Sequence, residues 1–174
     1  YKRQVVNKRG SDDSLIVAAS AATATRLAQG AYPGNSMDQV KWVGTIGADY
    51  GVIAVAGDSD VVTLGELLEN LKNKPKKWVI GGGSAVGGWD HLKVLMAAKE
   101  YGISNVRKIK YVSFDGGGDA VTQLLAGNVQ IFTGDVSEIK GFVDAGDIKI
   151  IAVLSPERLP GDFSKFYTAK EQGV

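Results

Sequence analysis

The sequence predicts an α/β protein built on a parallel, doubly wound sheet. Between Trp78 and Gly146 a short apolar run, a glycine-bearing loop and an amphipathic stretch follow one another three times. Strand, loop and helix in that alternation wind a parallel sheet. Helix signals fall at the right places: Thr63 pairs with Glu66, Asp135 with Glu138, and Gly127 and Gly146 stand behind the periodic stretches. The chain has 174 residues, 44% of them hydrophobic and 22% charged. That composition is ordinary for a globular protein and suits one large domain or one and a half small ones.

The elements follow in order. The run Ser14 to Ser20 (SLIVAAS) is apolar and β-branched and reads as a buried strand. The stretch from Thr23 reads as a short helix stopped by Gly30, and Pro33-Gly34 marks a turn. The runs VKWVGTIG and YGVIAVAG, residues 40–47 and 50–57, read as two strands divided at Ala48-Asp49. Leu64, Leu67, Leu68 and Leu71 recur at i, i+3, i+4, i+7 and make one helical face, closed by Pro75. Strands are then expected at KWVIGG, IKYVSF, VQIFTG and IKIIAVLS. Helices are expected from Asp90 to Tyr101 with Leu92, Leu95 and Met96 facing the core, from Ala120 to Ala126, and from Asp135 to Gly146. Thr168 and Glu171 announce a last helix.

Charge and composition exclude several functions. The 20 basic and 19 acidic residues leave a net charge of +1, too little for a field that attracts nucleic acid, so no nucleic-acid partner is expected. The chain has no cysteine and a single histidine, His91, so no thiolate or His-rich metal site and no disulfide is expected. No apolar run approaches the roughly 20 residues that span a bilayer. Neither end reads as a natural terminus, and the start does not read as a signal peptide, so a processed or truncated chain is expected.

Five glycines stand within eight residues at Gly81 to Gly88. Such a cluster marks backbone that bends tightly or approaches something closely. The spacing fails the dinucleotide fingerprint G-x-G-x-x-G, because Val86 or Ser84 stands where glycine is required. It also fails the phosphate loop, because Gly88 and Trp89 stand where Lys and Ser/Thr belong. What remains is an anion nest: the first amides of a helix have no internal partner, and glycine lets a carboxylate reach them. The alternative is a tight turn with no ligand. A second loop, DGGGD (Asp115 to Asp119), is expected at the same sheet edge, where doubly wound sheets hold their ligands.

Catalysis has little support. A nucleophilic triad would have to use His91, which reads better as a buried helix histidine bonded to backbone. Asp90, Asp115 and Asp119 each fall at a helix start, where capping is the ordinary role. Trp89 suits either a stack on a ligand or a shield over the loop.

The run GGGSAVGGWDHL, then YVSFDGGGDAVTQLLAGNVQIFTGDVSEIKGFVDAGDIKIIAVLSPERLPG, resembles the extracytoplasmic solute receptors of tripartite tricarboxylate transporters, the Bug receptors. The resemblance is carried by a Gly/Ser loop ending in His91-Leu92, by Phe114 to Ala120, by Leu124 to Val129 and by Ala145 to Lys149. It spans nearly the whole chain, and the order and spacing of the motifs are more specific than any one of them. It implies a periplasmic-binding-protein-like, Venus-flytrap architecture, with one domain complete and part of the other. Residues 1–58 would be a partial first domain, 59–163 the second, ligand-binding domain, and 164–174 a return segment. It implies no catalysis, no cofactor and no metal. It implies a periplasmic location, a small di- or tricarboxylate ligand of citrate-like kind, and membrane components of the transporter as partners. The ligand-binding positions carried over are Ser20 and Ala21, the loop Ser84, Ala85, Val86, Gly87 and Gly88, then Gly116, Gly117 and Gly118, and Asp135.

Two departures qualify that implication. The family's Gly-Gly loop near the natural N-terminus and the rest of its C-terminal part have no counterpart here. Asp119 stands where many members have proline and Asp115 where many have a basic residue. Each carboxylate near an anion repels it by about 1 kcal/mol at water-like dielectric, which admits an amide or an amine-bearing acid. The other function classes are the ligand-sensing domain of a regulator with the same architecture, and a small α/β enzyme using Asp90, His91 and Asp135. Fold alone does not separate them.

Overall fold

The computed structural model describes residues 8–174; residues 1–7 of the segment assigned to a first domain lie outside the described residues. The chain divides into two compact units, Tyr1–Gly47 and Ala48–Val174.

In the first unit α1 spans Ala22–Ala28 and stops before Gly30, whose φ of +66° is left-handed. After the Pro33-Gly34 turn, Ser36 and Gln39 form a capping box around a single 3-10 turn, Met37–Gln39. The two expected strands, Ser14 to Ser20 and residues 40–47, are not strands. β-branched apolar residues favour extended backbone, but a strand exists only where a neighbour takes its hydrogen bonds. Among the described residues this unit offers no such edge, and none of its residues is buried: Ile16 is 86% exposed and Ile46 fully. Ser20 and Ala21, expected at a strand end, open α1 instead; Ala21 is its N-cap and the Ser20 carbonyl accepts from the Thr23 amide at 2.9 Å.

The second unit carries a five-stranded sheet made of β1 (Gly51–Ala56), β2 (Val79–Gly82), β3 (Lys110–Ser113), β4 (Ile131–Asp135) and β5 (Ile148–Leu154). The spatial order is β3-β2-β4-β1-β5. β2 is parallel to β3 and to β4, whereas β1 is antiparallel to both β4 and β5. The four strands expected to be parallel therefore do run one way, and β1 is a reversed strand set between two of them. Its register places Gly51 opposite Asp135 on one side and Leu154 on the other, so the start of β1 lies at the carboxyl edge of the rest.

Helices α2 (Leu64–Asn73), α3 (Trp89–Glu100), α4 (Gly117–Leu125) and α5 (Val136–Asp144) cover the sheet. One core joins Leu64, Leu67, Leu68 and Leu71 of α2 with Val94 of α3 and with Ile53, Ile80 and Ile131 of the sheet. The other joins Val121 and Leu124 of α4 and Ile139 of α5 with Val52, Phe132 and Val153. Alternate residues of β1 and β4 point to opposite cores, as strand periodicity requires. Burying each of those four leucines contributes about 1.5–3 kcal/mol.

Three expectations change in detail. α3 buries Lys93, Val94, Ala97 and Ala98, while Met96 is 62% exposed and Leu92 and Leu95 are half-buried. The buried stripe is thus displaced by two residues from the one read from leucine spacing and lies on the nearly opposite face of the helix. α4 starts at Gly117, three residues before Ala120, because glycines are admissible in a first turn even though they are poor helix formers. The C-terminal helix is one 3-10 turn, Lys170–Gln172, although its capping pair forms: Thr168 N donates to Glu171 Oε2 at 2.8 Å and Glu171 N to Thr168 Oγ1 at 3.1 Å.

Candidate functional site

The loops that follow β2, β3 and β4 meet at the carboxyl edge of the sheet. A Cβ on Gly83 would fall 2.6 Å from the carbonyl carbon of Gly116 and 2.7 Å from the amide nitrogen of Gly117. The two glycine loops therefore touch backbone to backbone, which any side chain at position 83 would prevent. Gly87 has φ +77°, a left-handed conformation that side chains rarely adopt.

The β2 loop is held by its own polar groups. The Gly87 amide donates to His91 Nδ1 at 3.0 Å and the Gly88 amide to the Ala85 carbonyl at 2.7 Å. Ser84 Oγ accepts from the Asp90 amide at 3.0 Å, capping the first turn of α3 from six residues upstream. The Tyr111 hydroxyl donates to the Ser84 carbonyl at 2.7 Å. Hence the amides of Gly87 and Gly88 serve the turn itself. The crown of the loop, Ala85 and Val86, is exposed, with Trp89 beside it 42% exposed.

The β3 loop is simpler. Gly116, with φ +109°, is the N-cap of α4 and supplies no side-chain bond. The first amides of α4 belong to Gly117, Gly118 and Asp119 and have no acceptor inside the helix. A Cβ on Gly118 would meet nothing within 4 Å, so this end stands open. Phe114 packs into the second core, and Asp115 and Asp119 are exposed.

Lys93 carries the charge of the site. Its side chain is 3% exposed, and its ammonium donates to Asp90 Oδ1 at 2.9 Å, to the Gly134 carbonyl at 2.8 Å and to Asp135 Oδ1 at 2.6 Å. Asp135 forms a capping box with Glu138 at the start of α5. The Glu138 carboxylate is tucked against Gly117 and Gly134; loss of hydration there raises its pKa, and the charges of Asp135 and Asp90 push the same way, against the Asp135 backbone hydrogen bond and Lys93. Burial lowers the pKa of His91 and raises that of Tyr111.

The set an α/β enzyme would use is thus engaged elsewhere: both aspartates pair with Lys93, and His91 accepts a backbone amide. Of the expected positions, Ser84, Gly87, Gly88, Gly116, Gly117 and Asp135 belong to one cluster, with Ala85, Val86 and Gly118 on its open surface. Ser20 and Ala21 belong to the first unit. Asp90 does not cap α3 but turns to Lys93. Lys93 itself was missed, although a sequence signal existed: Asp90 stands three residues before it, and Val94 and Ala97 flank it on an apolar face. A cavity of about 410 Å³ against β5, lined in part by Lys149, Ile151, Tyr167 and Gln172, shares no residue with these loops.

A sheet wound on both faces, with one reversed strand and its loops gathered at the carboxyl edge, defines a periplasmic-binding-protein lobe. The chain belongs to the tripartite tricarboxylate transporter family receptors (TctC), matching that family over residues 4–174. A TctC solute-binding protein from Polaromonas is 28% identical, with a TM-score of 0.64 over 72% of this chain and 41% of that one. The periplasmic binding protein BugD is 22% identical, with a TM-score of 0.62 over 72% of this chain and 40% of its own. MatC from Rhodopseudomonas palustris, a structure with bound malate, is 17% identical, with a TM-score of 0.63 over 72% and 41%. The chain therefore spans about two fifths of the length of these structures. No curated protein matches it significantly. The family and these neighbours are solute-binding receptors rather than enzymes.

Proposed function

We propose that this chain supplies one ligand-binding lobe, and part of a second, of an extracytoplasmic receptor that captures a small organic acid. The lobe division read from the sequence (1–58, 59–163, 164–174) is part of this reading. The ligand is a di- or tricarboxylate of citrate-like kind, held in the second unit at Ser84 to Gly88, Gly116 to Gly118 and Asp135. The membrane components of a tripartite transporter are its partners.

The observation that carries this reading is the start of α4, open at Gly118 and set against the β2 loop by the contact at Gly83, in a member of the TctC family. Helix starts of this kind attract carboxylates through amides and dipole together. Malate in MatC is a ligand of the expected chemistry. Calorimetry with malate and with citrate tests it: saturable binding to either acid is expected, weakened at least tenfold by Gly118→Val. Binding of neither acid, or binding that valine leaves intact, overturns the assignment.

A further inference from the structure

Among the described residues Lys93 is the only buried charged one. A buried ammonium is costly unless each of its donors is met. Here its three N–H groups are matched by three oxygens, one from Asp90 in the first turn of α3 and two from Gly134 and Asp135 at the end of β4. No donor is left over for a ligand. Its stem needs room as well, and β1 provides it at Gly51, where a Cβ would fall 2.8 Å from Lys93 Cε and 2.9 Å from Cδ.

We propose that Lys93 is the positioning residue of the ligand site, fixing the start of α3 and the glycine loop behind it against the start of α5. The proposal rests on the receptor reading of this sheet edge. Asp90 is the joint through which it acts. The Asp90 amide is bonded to Ser84 Oγ, its carbonyl accepts from Thr133 Oγ1 at 3.1 Å, and its carboxylate meets Lys93. Asp135, the other partner, caps α5. Without the ammonium, two carboxylates face each other at an edge that must admit an anion. With it, both are tied and one of their charges is cancelled.

His91 is the only histidine in the chain, so its ring signals in an NMR spectrum need no assignment. It adjoins Asp90 and accepts the Gly87 amide, which makes it a reporter of the glycine loop without any ligand. The test compares the full chain with Lys93→Met, with Lys93→Met combined with Asp90→Asn and Asp135→Asn, and with Lys99→Met as an exposed control on the same helix. In Lys93→Met the His91 pKa is expected to rise from its depressed value toward the ordinary 6.5, and the Gly87 amide signal to shift. The triple variant removes the charge imbalance, so a Gly87 shift that persists there reports lost positioning. It also stands in for Lys93→Met if that variant does not fold. Lys99→Met is expected to change neither signal. In calorimetry with malate, Lys93→Met is expected to lose at least tenfold in affinity. A folded Lys93→Met or triple variant with wild-type His91 and Gly87 signals overturns the proposal. A wild-type chain that binds no malate counts against the receptor reading, and the NMR comparison then decides on Lys93 alone.

Discussion

His91 lies stacked on Tyr111, with ring centroids 4.5 Å apart and planes inclined by 22°. Each ring also holds one end of the glycine loop: His91 Nδ1 accepts from Gly87, and the Tyr111 hydroxyl donates to the Ser84 carbonyl. The stacked pair is a brace between α3 and β3 from which the loop is suspended at both ends.

Because Nδ1 accepts a hydrogen bond, the bonded His91 is neutral, and burial holds its folded pKa below 6.5. As pH falls, the unfolded chain takes up this proton first, so the histidine's contribution is full above about 6.5 and is lost below it, down to the folded pKa. His91→Gln is expected to remove that slope and to cost about 1 kcal/mol at neutral pH, the net worth of the lost hydrogen bond. Urea unfolding at about pH 5.5 and about pH 7.5 measures both. Identical slopes for the two proteins would rule this role out.

Glu138 should behave in the opposite sense. Its folded pKa is raised, chiefly by desolvation. The stability it contributes is therefore complete below the unfolded carboxylate value and is lost as pH rises through the folded pKa. Glu138→Gln keeps an oxygen for the Asp135 amide, which Glu138 Oε2 now accepts at 2.9 Å. It is expected to unfold at no lower urea concentration than wild type at neutral pH and to lose the acid-side gain. A variant clearly less stable at neutral pH would show that the carboxylate charge is favourable there.

Ser84→Ala removes the oxygen that caps the Asp90 amide. Loss of a helix cap costs about 0.5–2 kcal/mol, so the melting temperature is expected to fall whether or not a ligand is present. Because the hydroxyl oxygen is already engaged in that cap, loss of malate affinity without loss of stability would mean that its proton serves the ligand instead.

Two glycines separate turn from ligand contact. Gly87→Val meets a φ of +77°, so the fold should suffer first, by about 1 kcal/mol or more. Gly118→Val stands in open space within an α-helix and should change stability by less than about 1 kcal/mol. Thermal melts of the two variants should differ accordingly; equal destabilisation would mean that the α4 start is as constrained as the β2 loop.

The second unit's alternation was legible because each element carried local marks. Thr63 with Glu66 and the four leucines fixed α2, and Asp135 with Glu138 fixed the start of α5. The reversal of β1 was not legible, since the residues of YGVIAVAG would fill a strand equally well in either direction. The runs at Ser14 to Ser20 and 40–47 misled because apolar β-branched sequence states a preference that only a neighbouring strand can satisfy. At the site, the glycines were legible as close contacts but not the things they contact: Gly83 meets another glycine loop, and the Gly87 amide meets His91. Lys93 escaped because a helix lysine is ordinarily a surface residue, and only the packing of Gly51 shows where its stem goes.

The placement of β1 also governs the order in which this lobe can be made. Gly51 pairs with Asp135 and with Leu154, so this interior strand is synthesised first and its two neighbours last. During translation Gly51–Ala56 waits, apolar and unpaired, until β4 has emerged, and has both neighbours only once β5 has followed. Pairings this distant in sequence fold slowly. A nascent chain halted before Leu154 is therefore expected to remain open to protease along its whole second unit. A protected fragment at that stage would mean that β1, β2, β3 and β4 can assemble without a complete β5.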